Sequence, residues 1–146
     1  MSISLLALFS WLATASFGTL LVYLWARRAA AGGRPTYGRP PPYIPPWLVV
    51  THVLLAAGGL AAWVAALVLL DEFAYFAVPA LLLVALAGAS MFVRWLGSRR
   101  ARRVAQPLTR APSESRLPTV AVVGHGLLGV TTVVLVLLSY FLPHNF

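Results

Sequence analysis

Residues 47–70 read WLVVTHVLLAAGGLAAWVAALVLL, 24 positions without a charge, with His52 near the start and Gly58-Gly59 near the middle. About 20 apolar residues suffice to cross a hydrocarbon core of roughly 30 Å. The stretch therefore reads as a membrane-spanning helix. An imidazole inside such a helix is costly and points to a function.

Three more apolar runs cover about 3–25, 73–96 and 118–142. The first has Ala13-Thr14-Ala15 in the middle, which resembles a signal-peptidase site. No Lys or Arg precedes the run and it continues for ten residues beyond, so a retained helix is expected. Ser10, Thr14 and Gly18, four apart, form a small-residue stripe suited to close helix contact. Between the second and third runs stand only Asp71 and Glu72, so those two helices must be antiparallel neighbours. Pro79 falls in the first turns of the third, whose middle is thinned by Ala85, Ala87, Gly88, Ala89 and Ser90.

Only 10% of the 146 residues are charged and 60% are hydrophobic, against about 25% charged in soluble domains. The expected fold is an all-α integral membrane protein: one domain, a four-helix transmembrane bundle. Without cysteine there are no disulfides, thiolate-held iron–sulfur clusters or thiol chemistry. Asp71, Glu72 and Glu114 are the three carboxylates, and they form no hydrolytic constellation. Asp71 and Glu72 read as a polar turn.

The net charge of +8 comes from eleven arginines and no lysine, a usage that points to a GC-rich bacterial genome. All eleven lie within or beside two connections, 26–46 and 97–117. Under the positive-inside rule both connections are cytoplasmic and both termini extracytoplasmic, in a multi-pass protein of the bacterial inner membrane. The arginines are then topology signals and contacts for lipid headgroups, and no nucleic acid partner is expected. The first connection ends in RPPPYIPP (39–46), a stiff extended lead into the second helix. Trp25, Trp47 and Trp95 fall where an interfacial belt would stand, whereas Trp63 is deeper and reads as packing. His144, on the tail, reads as solvated.

Aligning the second and fourth spans on their histidines sets THVLLA (51–56) against GHGLLG (124–129). His52 and His125 are 73 positions apart, and each follows a proline, Pro46 by six residues and Pro118 by seven. The first and third spans also correspond, VYLWARRA (22–29) with VRWLGSRRA (93–101). The pattern predicts two helical hairpins of like orientation, related by an axis along the membrane normal. At 1.5 Å per residue each histidine then lies roughly 9–11 Å along its helix from the proline. Four and seven residues further on are small side chains, Ala56 and Gly59, Gly129 and Thr132, on the histidine's own face.

Two imidazoles at one depth beside a thin face suit a bis-histidine haem b, with His52 and His125 as axial ligands to the metal. Propionate partners would come from the cytoplasmic boundary: Arg28, Arg94 and Arg99, with Arg27, Arg100, Tyr37 and Tyr43 nearby. Two histidines alone fall short of a zinc or copper set.

In its architecture and histidine-bearing spans the chain resembles the four-helix membrane cytochromes b, the cytochrome b561-like group and its small bacterial relatives. The resemblance implies electron transfer with a quinone or another redox carrier. Many of that group carry four ligand histidines and two haems. With two intramembrane histidines this chain has room for one. The alternative is a cofactor-free accessory subunit of a larger, respiratory-type membrane complex, and a weaker one a lipid- or quinone-binding module. Expected partners are membrane lipids and other membrane subunits or a second copy.

Overall fold

A computed structural model of the chain describes residues 2–31, 44–104 and 116–142. Four helices account for nearly all of them: α1 (Ile3–Ala31), α2 (Pro46–Val68), α3 (Ala74–Val104) and α4 (Thr119–Phe141). All four are long and apolar enough to cross a membrane. Among the described residues there is no strand. The chain is a multi-pass, all-α membrane protein.

Prolines set the starts of α2 and α4 alike. Pro45 and Pro118 are extended, at ψ 140° and 124°, immediately before the first helical residue. Proline's fixed φ and missing donor cost nothing at this edge of a helix. The link between α2 and α3 is short: Leu69 N–H closes on Ala65 O at 2.8 Å, then Asp71–Phe73 form one 3-10 turn. Pro79 is taken up near the start of α3, where only the first turn feels its lost hydrogen bond.

Both α1 and α3 run beyond the expected span ends at 25 and 96, to Ala31 and Val104. Residues 26–31 and 97–104 thus belong to helices, although the sequence reading gave them to the connections. Alanine and arginine are good helix formers, and cations at a helix C-terminus are favoured by its dipole. Arg28 and Arg102-Arg103 stand in those last turns. Hydropathy marks where lipid ends, and these helices end later. Tyr37, Tyr43, Glu114, His144 and most of the proline-rich lead lie outside the described residues.

Neighbouring helices run antiparallel, so the bundle has an arginine end and a terminal end. Arg99 of α3 donates to the Thr119 hydroxyl at the start of α4 across the arginine end. Trp63 Nε1 of α2 donates to Ser4 O of α1, 3.3 Å, near the terminal end. Packing is closest within two pairs, α1 with α4 and α2 with α3, and lighter along the seams between pairs.

Two apolar clusters fill the interior. At the terminal end Ala7, Trp11, Trp63, Ala66, Ala74, Ala77, Leu81 and Val136 pack together. Toward the arginine end Ile44, Val49, Trp95 and Leu117 form the second. Ile44 and Leu117 are contributed by the lead-ins to α2 and α4 and plug that end. Trp63, read as packing, is fully buried, and Trp47 is exposed as a belt residue would be. Trp95 differs from its expected belt position: at 2% exposure it faces the bundle interior. The outer surface is apolar, with Leu5, Phe9, Leu54, Leu86 and Val120 among its exposed side chains, as lipid as solvent demands.

Candidate functional site: a histidine pair across the seam

His52 and His125 lie between the two clusters, each one turn beyond a valine of the arginine end, Val49 within that cluster and Val122 packed against it. Their ring centroids are 6.2 Å apart and the ring planes 67° to one another. His52 belongs to the α2/α3 pair and His125 to the α1/α4 pair. The imidazoles therefore meet where the two pairs face each other.

Each ring is held by main chain. His52 Nδ1 lies 3.1 Å from the Val84 carbonyl oxygen on α3, and His125 Nδ1 lies 3.0 Å from that of Thr14 on α1. A carbonyl only accepts, so each Nδ1 carries the proton and donates it. That leaves Nε2 with its lone pair, the form in which histidine binds a metal.

Four residues beyond each accepting carbonyl, one turn along the same face, stands a glycine. A Cβ built on Gly18 would sit 3.0 Å from His125 Cε1, and one on Gly88 would sit 3.3 Å from His52 Cε1. Both distances are tighter than ordinary carbon contact. Glycine is what lets each imidazole lie against the backbone of the neighbouring helix. The sequence marked Gly18 and Gly88 as packing residues, and their part in seating the rings was missed. The available signal was a small residue 70 positions apart in the first and third spans.

The small residues on the histidines' own helices lie toward the terminal end. Gly59 is buried against Ala80 and the Trp11 ring, each 3.2 Å from a Cβ built there. Gly129 faces the Thr14 methyl at 3.9 Å. The buried Thr132 hydroxyl is 2.8 Å from that of Ser10 and 3.0 Å from that of Thr14. Ala56 is half-buried.

At the arginine end, the Arg99 guanidinium stacks over the Trp95 ring, 5.1 Å from its centroid. Arg94 and Arg100 are exposed. Arg27 reaches the Tyr23 hydroxyl at 3.4 Å. Arg28 is half-buried, and its Nη1 is fully enclosed without a hydrogen-bond partner among the described residues. The indole Nε1 of Trp95 is likewise enclosed, with no partner among the described residues.

The donor set limits the chemistry. Among the described residues no three His, Asp or Glu side chains gather, and a metal held by protein alone needs three or four ligands. A macrocycle brings four of its own, and two imidazoles complete it. With a metal–nitrogen bond of about 2 Å and a ring nitrogen about 1 Å from its ring centre, two imidazoles on opposite sides of one metal have centroids about 6 Å apart. The residues present fit a haem between the rings in spacing, protonation and anchoring. No protein family, curated protein or solved structure matches the chain, so the functional reading rests on this site.

Proposed function

We propose that the chain is a small membrane cytochrome b-type electron-transfer protein, or such a subunit of a redox complex, with one haem b between His52 and His125. The observation that carries the reading is the pair itself: two carbonyl-anchored imidazoles, 6.2 Å apart, meeting across the seam. When bound, the haem supplies reversible one-electron chemistry. The protein's part is to hold and surround it. The Val84 and Thr14 carbonyls set the ring orientation and raise the basicity of each Nε2. Gly18 and Gly88 allow the close approach, and Val49 and Val122 line the site one turn toward the arginine end.

The terminal half is filled by Trp11 and Trp63, which favours a single haem set toward the arginine end. With the arginines cytoplasmic, electrons would exchange with a quinone or another carrier near that face of a bacterial inner membrane. Lipid acyl chains and further membrane subunits, or a second copy, would cover the exposed apolar helices, with headgroups at the arginines.

The test is a reduced-minus-oxidised visible spectrum of the detergent-purified protein beside His52→Ala and His125→Ala. A sharp b-type α band, lost in both variants, is expected. A featureless spectrum from protein made with ample haem overturns the reading. It would favour the second one, a cofactor-free accessory subunit of a respiratory-type complex. That reading also has an observation behind it, since 6.2 Å and 67° lie within the range of a direct edge-to-face ring pair.

A further inference from the structure

Two buried donors at the arginine end have no acceptor among the described residues, Trp95 Nε1 and Arg28 Nη1. Such groups are costly in any interior. Native structures leave few, and those few ask for a missing partner.

Their placement relates them to the histidines. Trp95 belongs to the cluster that includes Val49, with Val22, Trp25 and Val122 packed against it. Val49 and Val122 stand one turn below His52 and His125. Trp95 is seven residues along α3 from Gly88, which His52 touches, and Arg28 is ten residues along α1 from Gly18, which His125 touches. These separations are about 10 and 15 Å of helix. Side chains on a helix lean toward its N-terminus, which on both α1 and α3 is back toward the histidines. One donor comes from each helix that anchors an imidazole.

We infer that Trp95 Nε1–H and the Arg28 guanidinium are the donors for the carboxylates on one edge of the bound haem, and so fix that edge toward the arginine end. This rests on the cytochrome reading and adds the orientation of the group and a second anchor beyond its axial ligands. The acceptor needed is an anionic oxygen reaching below the valines. Arg28 provides a charge-assisted bond and Trp95 a single fixed N–H. Arg99, engaged with the Trp95 ring and Thr119, holds the indole in place.

The test loads the full-length, detergent-purified protein with haem or with haem dimethyl ester, whose carboxylates are masked, in the native chain, Trp95→Phe and Arg28→Gln. All three should show the same b-type α band, since the axial ligands are untouched. With haem, each variant should release it to excess apomyoglobin about tenfold to a hundredfold faster, the range for one hydrogen bond to a charged group. The propionate bending bands in resonance Raman should shift in both. With the ester, native and variants should release alike. Equal release of haem from all three, or a variant effect equally large with the ester, overturns the inference and leaves the cytochrome reading standing. No b-type band in the native protein overturns both.

Discussion

The two helix pairs hold their histidines alike and are built differently two turns above them on α2 and α4. In α1/α4 that level is polar: the Thr132 hydroxyl lies 2.8 Å from that of Ser10 and 3.0 Å from that of Thr14, and Thr14 Oγ1 donates to Ser10 O, 2.8 Å. In α2/α3 the same level is Ala80 against Gly59, with the Trp11 ring from α1 laid into the gap. One pair is tied by interhelical hydrogen bonds, the other by a borrowed aromatic. The imidazole seat does not depend on which means closes the helices above it. It needs a carbonyl and a glycine one turn apart, and both pairs have them.

The difference makes predictions that separate the pairs. The largest effect is expected at Trp11→Ala. The side chain is 2% exposed, and emptying that space should cost about 3–5 kcal/mol, measured by equilibrium unfolding in mixed micelles. An effect below about 1 kcal/mol would mean that α2/α3 closes without the borrowed ring. Thr132→Val comes next. It removes the hydroxyl shared by Ser10 and Thr14 and should cost about 1 kcal/mol, within the range for interhelical bonds in membranes. Its control is Thr131→Val, whose exposed hydroxyl bonds only its own helix at Leu127 O and whose loss should stay within about 0.5 kcal/mol. Equal costs for the two threonines would remove the polar tie as a feature of α1/α4.

The smallest effect on stability, and the sharpest on the site, is expected from Gly18→Ala and Gly88→Ala. Alanine gains about 1 kcal/mol of helix propensity, which should roughly offset the crowding, so unfolding should barely change. The rings must still yield, more at Gly18 (3.0 Å) than at Gly88 (3.3 Å). Electron paramagnetic resonance of the oxidised haem reads the angle between the axial planes. A larger shift for Gly18→Ala than for Gly88→Ala is expected. The reverse order would contradict the seating described here.

Much of the fold can be read from hydropathy alone, because a bilayer forces every backbone group into a helix and every lipid-facing position to be apolar. The pairing of His52 with His125 is also legible, since prolines at like offsets put both at one depth. Three things escape that reading. The helices α1 and α3 outlast their apolar runs because arginine and alanine sustain a helix in any solvent. The glycines that seat the imidazoles lie on the neighbouring helices, and a sequence shows which residues share a helix face before it shows which faces meet. Trp95 looks like a belt residue by its distance from the span end, yet its azimuth around α3 turns it inward, and azimuth is fixed only by packing.

The anchoring of each imidazole to a backbone oxygen has an evolutionary consequence. Val84 and Thr14 supply the acceptor through groups that every residue possesses, so side-chain replacement at either position cannot delete it. Chains descended from a common ancestor could drift at 14 and 84 and still keep both rings in register. For the ring seat itself the positions under selection would be few and scattered: two histidines and the two glycines they lean on. A site so written leaves little trace in sequence comparison, even where its geometry is retained in full.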